Sequence, residues 1–203
     1  MIDPAAGART EDDLRELPLW LRVQFAGLAR APRLPPMAAP FAILITHAHW
    51  DHLSGAADWP AATIHLSQLE LNWAHAITRE DEYARGVLRA QLRRLAPQLA
   101  PFSSAAPLHD LLGDGSVMAL ALPGHTPGSA GYLVGDWLFV GDAVWERGSA
   151  KGPLGRSFDE NKGESEWTLG TLRELQRARP GLRIVPAHDA KALEELPECK
   201  PAP

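Results

Sequence analysis

The spacing of apolar and polar positions divides the chain into short β-like runs separated by amphipathic stretches. Phe41 to Ile45 is apolar at every position, which marks a strand buried on both faces. It runs directly into Thr46-His47-Ala48-His49-Trp50-Asp51-His52. Thr63 to Leu66 is a second short strand. Val117 to Leu122 predicts a strand ending at Pro123-Gly124-His125-Thr126-Pro127-Gly128. Gly131 to Val134 and Trp137 to Val140 flank Gly135-Asp136, and a two-residue pair of this kind between apolar runs predicts a tight hairpin. The second arm of that hairpin ends at Gly141-Asp142. Arg183 to Pro186 is a last strand, followed by Ala187-His188-Asp189.

Helical spacing appears between these runs. Thr10 to Arg30 alternates charged and apolar groups with Pro18 interrupting, and residues 31–40 hold four prolines and exclude regular structure. Thr78 is placed to cap a helix running to about Leu95, with Tyr83, Val87, Leu88, Leu92 and Leu95 as its apolar stripe and Thr78-x-x-Asp81 resembling a capping box. Ser165 is placed to cap a helix to about Arg179, stopped by Pro180-Gly181. Residues 146–164 are polar and glycine-rich and read as a long loop. Met1-Ile2-Asp3-Pro4 reads as the end of a strand entering a turn. Strands and helices interleave without an internal repeat, so the expected class is α/β with layered sheets and covering helices.

Composition narrows the picture. A length of 203 residues, 45% of them hydrophobic, can bury a core, and one domain over 1–203 is the natural expectation. Twenty basic and twenty-five acidic side chains give a net charge of −5, which disfavours nucleic acid and anionic membrane as partners. The expected partner is a small-molecule substrate. Cys199 is the sole cysteine, so an intramolecular disulfide and a thiolate metal cluster are both excluded. No apolar run is long enough to span a bilayer, and no charged-then-apolar leader stands at the start, so a cytoplasmic location is expected.

The chemistry gathers at the strand ends. Four of them deliver a side chain able to bind a metal: the His47/His49/Asp51/His52 group, His125, Asp142 and His188. Imidazole nitrogen and carboxylate oxygen suit zinc and other first-row ions. Residues two apart on an extended segment point the same way, so His47 and His49 can grip one ion, while Asp51 and His52, at a turn into a short helix, can face a second. Two neighbouring cations need a shared anion to offset their repulsion, and Asp142 is the candidate bridging carboxylate, with hydroxide as the bridging nucleophile. Five of the eight histidines fall in these positions. His65, His75 and His109 lack such neighbours and read as surface or core-edge residues.

These pieces resemble the metallo-β-lactamase superfamily: Thr46-His-Ala-His-Trp-Asp-His52, Pro123-Gly-His-Thr-Pro-Gly-Ser129, Gly141-Asp142 and Pro186-Ala-His188, in the family's order across residues 41–189. The resemblance implies an αββα sandwich with metals at one sheet edge. It implies that His47, His49 and His125 hold a first ion, that Asp51, His52 and His188 hold a second, and that Asp142 bridges them. The implied cofactor is two Zn2+, with iron or manganese as alternatives. Met1-Ile2-Asp3-Pro4 resembles the family's Leu-Ile-Asp-Thr-Gly-like segment, which strands normally precede, so an N-terminally truncated version with an incomplete first sheet is expected, and with it an exposed sheet edge.

Within the family, the resemblance separates several chemistries. β-Lactamases proper lack the bridging aspartate, so Asp142 speaks against an antibiotic-cleaving role. Persulfide dioxygenases leave the second site incomplete, and flavodiiron proteins carry Glu where His49 stands. Glyoxalase II enzymes share the ligand set but carry a Gly-Gly-Cys-Gly-like segment where this chain reads Ala143-Val-Trp-Glu-Arg-Gly-Ser149. Acyl-homoserine lactonases match in length, ligands and the His188-Asp189 ending, with Trp145 in place of a tyrosine that polarises a carbonyl. Nuclease members share the ligand motif, but the acidic balance disfavours them. The expectation is a binuclear hydrolase of a small ester, lactone or thioester. In it, hydroxide attacks a carbonyl carbon and Asp51 serves as catalytic proton shuttle to the leaving group. The rival expectations are an iron-dependent oxidoreductase of the same fold and an inactive truncated fragment.

Some residues admit two readings. Trp50 and Trp145, beside ligands, line an apolar pocket or fill the core. Arg85, Arg89 and Arg93 form one helix face that binds an anionic substrate tail or is simply solvated. Asp189 orients a group behind a ligand or caps a helix. The 146–164 loop is where substrate choice is expected to be encoded.

Overall fold

The computed structural model describes residues 1–4, 7–15, 19, 40–82, 84–103, 106–145 and 159–197. The expected irregular stretch at 31–40, apart from Pro40, lies outside them. So do most of the 146–164 loop, Tyr83 and Cys199. The chain packs as two compact units, residues 1–66 with 71–101 and residues 67–70 with 102–203.

The first unit is built on two parallel strands, β1 (Ala42–Leu44) and β2 (Thr63–His65), in the register Ala42↔Thr63, Ile43↔Ile64, Leu44↔His65. β1 is buried along its whole length, as its unbroken apolar run predicts. Single parallel bridges, Ile2↔Leu44 and Ile64↔Leu99, extend this pair on either side. Helix α1 (Thr10–Arg15) precedes them. After β1 the chain turns through residues 45–49 into the short helix α2 (Trp50–Leu53). Ile43, Ile45, Leu53, Ile64, Leu66, Leu71, Val87, Leu92 and Leu95 form the core.

Two elements of this unit differ from expectation. Helix α3 (Gln68–Ala76) is absent from the periodicity reading; its first turn belongs to the second unit and its remainder to the first. The buried positions of the helix and its two flanking residues are Ser67, Glu70, Leu71, Ala74 and Ile77. That is a helical spacing, but one step of it is a carboxylate, and carboxylates are expected outside. The expected helix from Thr78 to Leu95 is helical only as α4 (Arg89–Leu95). Thr78 does bond Asp81, Oγ1 to Oδ2 at 2.9 Å, but only turns follow. Gly86 stops them: its φ of +65 is left-handed backbone and cannot continue a helix. The stripe itself holds, since Val87, Leu88, Leu92 and Leu95 are buried. Arg85 therefore lies outside the helix that carries Arg89 and Arg93, and all three are exposed.

The second unit holds a five-stranded sheet in the order β3 (Leu108–Asp110), β4 (Met118–Ala121), β5 (Ala130–Val134), β6 (Trp137–Gly141), β7 (Arg183–Pro186). β3 to β6 are antiparallel and β7 runs parallel to β6. The β5–β6 hairpin closes at Val134↔Trp137 around Gly135-Asp136, as predicted. A parallel pair cannot be joined by a tight turn, and helix α5 (Lys162–Ala178) supplies the crossover from β6 to β7. α5 starts earlier than expected. Its cap is Asn161, whose side chain accepts from Gly163 and Glu164 N–H, and Ser165 is a buried residue inside the helix. Leu169 and Leu172 of α5 pack with Leu122, Leu138, Val140 and Ile184. Helix α6 (Ala190–Glu194) follows β7, capped by Asp189 Oδ1 accepting from Ala192 N at 3.0 Å, so the helix-cap reading of Asp189 is observed. Among the described residues no helix is long and apolar enough to cross a membrane.

Candidate metal centre

Four of the seven sequence-predicted ligands lie in the first unit, on the turn after β1 and on α2. His47 and His52 are buried, and His49 and Asp51 are half-buried. His47 Nε2 and His49 Nδ1 stand 3.0 Å apart, as side chains two apart on extended backbone should. The rings of His47 and His52 lie 4.1 Å apart, and Asp51 Oδ2 is 3.9 Å from His52 Nε2. The candidate donor atoms of His47 and His49, and those of Asp51 and His52, fall within 4.8 Å of each other.

A residue given no role in the sequence reading organises this group. Asp3 accepts from Thr46 N at 2.8 Å and, through Oδ2, from Thr46 Oγ1 at 2.7 Å; the same Oδ2 is 3.0 Å from His52 Nδ1. Thr46 Oγ1, its proton given to Asp3, accepts from His47 Nδ1 at 3.0 Å. Both contacts favour a ring proton on Nδ1, which leaves the Nε2 lone pair to serve a metal. The segment holding His49 is fixed from the other side. Trp50 N donates to Gly86 O at 2.8 Å, and a Cβ added to Gly86 would sit 3.1 Å from His49 Cδ2. Trp50 is 5% exposed and its carbonyl accepts from Gln91 Nε2, which favours core packing over pocket lining.

The other three predicted ligands lie in the second unit. His125 follows β4, Asp142 follows β6 directly and His188 follows β7 by two residues. The two oxygens of Asp142 face different histidines: Oδ2 is 3.6 Å from His125 Nε2, and Oδ1 is 3.3 Å from His188 Nε2. His125 and Asp142 are buried, whereas His188 keeps 31% of its side-chain surface. The Trp145 ring stacks on His188 with centroids 4.4 Å apart and planes 18° apart, so the residue expected beside a ligand covers one of its faces.

Asp159 is a second carboxylate absent from the sequence reading. Its Oδ1 is 3.3 Å from His125 Nδ1, which again places the proton on Nδ1. The backbone beside it grips the same loop, with Glu160 N donating to His125 O at 3.2 Å and Asn161 N to Gly124 O at 3.0 Å. The only signal for Asp159 in the sequence is its place just before a helix cap.

This chemistry fits a cation. With Nδ1 protonated, His125 presents a lone pair at Nε2 toward a carboxylate oxygen at 3.6 Å, beyond hydrogen-bond range and electrostatically unfavourable until a positive charge intervenes. His52 Nε2 and Asp51 Oδ2 stand in the same relation at 3.9 Å. The remaining histidines stay apart from these groups, as expected. His109 stacks on Phe102 and His75 is exposed. His65 lies on β2 with its pKa lowered by burial, against a smaller opposing effect of a hydrogen bond to Ala100.

Comparison with known proteins bears on these observations. The family model described as "Metallo-beta-lactamase superfamily" matches residues 39–188. A protein named a probable metallo-hydrolase in Mycobacterium tuberculosis is 34% identical over 172 residues, covering 72% of this chain and 54% of that protein. A hydroxyacylglutathione hydrolase of Shewanella loihica is 29% identical over 153 residues, covering 72% of this chain and 47% of the enzyme. The chain thus spans about half the length of the curated relatives it matches. Among solved structures, a dizinc quorum-quenching lactonase with the product N-hexanoyl-L-homoserine superposes with a TM-score of 0.63 at 20% identity, over 93% of this chain and 68% of that one. At that identity the likeness establishes the fold.

Proposed function

The chain belongs to the metallo-β-lactamase superfamily, and from that premise we propose that it is a binuclear metal-dependent hydrolase of a small ester, lactone or thioester. His47, His49 and His125 would hold one ion, Asp51, His52 and His188 the other, and Asp142 both. The observation that carries the reading is Asp142: a buried carboxylate whose two oxygens address two different histidines at 3.6 and 3.3 Å is disposed to serve two centres. Zinc ions held there would supply Lewis acidity and bring the pKa of bound water down to about 7.

The chain's own residues do the rest. Asp3 and Asp159 hold His52 and His125 in the tautomer whose Nε2 can bind. Asp51, half-buried and beside His52, is positioned to pass a proton to the departing alkoxide or thiolate. Trp145 offers an apolar ring where the lactonases resembled by the sequence place a hydroxyl. Carbonyl polarisation then falls to other groups, and an apolar acyl portion is favoured at that position. The names of the relatives, a metallo-hydrolase and a hydroxyacylglutathione hydrolase, support the reaction class. A small molecule is the substrate proposed, and nucleic acid remains disfavoured by the net charge of −5.

The test is metal quantification of freshly purified protein, followed by turnover of a panel of lactones, thioesters and phosphodiesters. Two zinc ions per chain and acid release from a lactone or thioester are expected. Asp142→Ala is expected to remove turnover while the circular dichroism spectrum stays that of the wild type. Iron with oxygen uptake, or unaltered turnover in Asp142→Ala of measured metal content, overturns the proposal.

A further inference from the structure

One carboxylate outside the proposed ligand set has no exposed surface. Glu70, in the first turn of α3, is 0% exposed. Burying such a group is costly unless hydrogen bonds offset the loss of water. Its Oε2 accepts from Thr126 Oγ1 at 2.7 Å and from Gly128 N at 3.0 Å. Thr126, having given its proton to Glu70, takes one from Ser129, whose Oγ is 2.6 Å from Thr126 Oγ1 and also accepts from Thr126 N at 3.1 Å. Ser67 completes the set: its Oγ donates to Gly128 O at 2.7 Å and accepts from Glu70 N at 3.1 Å. All of these side chains are buried. The approach is so close that a Cβ on Gly128 would lie 2.1 Å from Glu70 N, so only glycine fits.

These groups fasten one loop, residues 126–129, and His125 immediately precedes it. We propose that Glu70 is a positioning residue for metal binding. Through Thr126 and Gly128 it fixes the backbone that presents His125, so the imidazole is in place before an ion arrives. Asp159 acts on the ring of His125, and Glu70 acts on the chain that carries the ring. A carboxylate or amide oxygen carries two lone pairs, so Glu70 Oε2 can accept from both donors at once. A ligand held in place pays less ordering cost on binding, and loss of a supporting partner typically lowers metal affinity by about 10- to 100-fold. The inference rests on the proposed metal role of His125.

The experiment is a zinc titration of metal-stripped protein against a chromophoric chelator, with thermal unfolding of each variant alongside. Glu70→Ala and Thr126→Val are expected to lower zinc affinity by about 10- to 100-fold. Glu70→Gln, which keeps an acceptor oxygen, is expected to recover most of that loss. Leu172→Ala, a core truncation in the same unit, serves as the control and is expected to lower thermal stability without lowering affinity comparably. The proposal is overturned if Thr126→Val and Glu70→Ala bind zinc as tightly as the wild type. It is equally overturned if Leu172→Ala loses as much affinity as they do. Should Glu70→Ala fail to fold, Thr126→Val decides. If the wild type binds no zinc, the proposed function fails by itself. Amide hydrogen exchange in the metal-free protein then judges Glu70: faster exchange at positions 126 and 128 in Thr126→Val supports the positioning role, and unchanged exchange overturns it.

Discussion

His65 shows how little a residue's type says about its task. It lies on β2 opposite Leu44, away from the ligand groups, and burial lowers its pKa. The sign of the consequence follows from proton counting. Below the ordinary histidine value of about 6.5 the unfolded chain binds the proton more readily than the folded one, so stability falls as pH drops through that value. The loss stops growing once pH is below the lowered folded value. His65→Gln is therefore expected to flatten the acid limb of a urea-denaturation stability profile relative to the wild type, and parallel profiles would contradict it. The proposed ligand histidines are distinguished instead by what lies behind them. His47, His52 and His125 each meet an oxygen at Nδ1, from Thr46, Asp3 and Asp159 respectively. The sequence shows the proposed ligands because four of them fall within six residues and the other three stand just after strand-like runs. It hides the supporting carboxylates because Asp3 stands 49 positions from His52 and Asp159 stands 34 from His125.

Elements place the proposed ligands, and the structure differs from the sequence pattern where a segment beside one of them imposes its own demand. The strands are legible because their apolar runs are short, unbroken and bounded by turns, as at 41–45 and on either side of Gly135-Asp136. Helix α3 is hidden because the position completing its buried face is Glu70, whose reason for burial lies on a loop more than fifty residues away. The helix expected from Thr78 is cut short because Gly86 turns the chain against His49. Gly86→Ala tests that explanation. A β-carbon in left-handed backbone costs roughly 1–2 kcal/mol, and here it also presses on the His49 ring at 3.1 Å. The expected result is a stability loss of about that size by urea denaturation, together with weaker zinc binding. A loss of stability with unchanged zinc affinity would show that the Gly86 turn serves the chain alone.

At the scale of the molecule, the proposed metal centre bears on stability as well as on chemistry. An ion that binds only the folded chain stabilises it in proportion to RT ln(1 + [L]/Kd), so a centre of this kind couples metal content to stability. Chelation is expected to lower the melting temperature and zinc to restore it, and Asp142→Ala is expected to blunt both changes. The most direct measurement is anomalous X-ray diffraction at the zinc edge from crystals of the purified protein. Two peaks roughly 3.5–4 Å apart are predicted, with the seven named side chains at bonding distances of about 2.0–2.2 Å and Asp142 reaching both peaks. A single peak, no peak, or ions held by other residues would contradict the account.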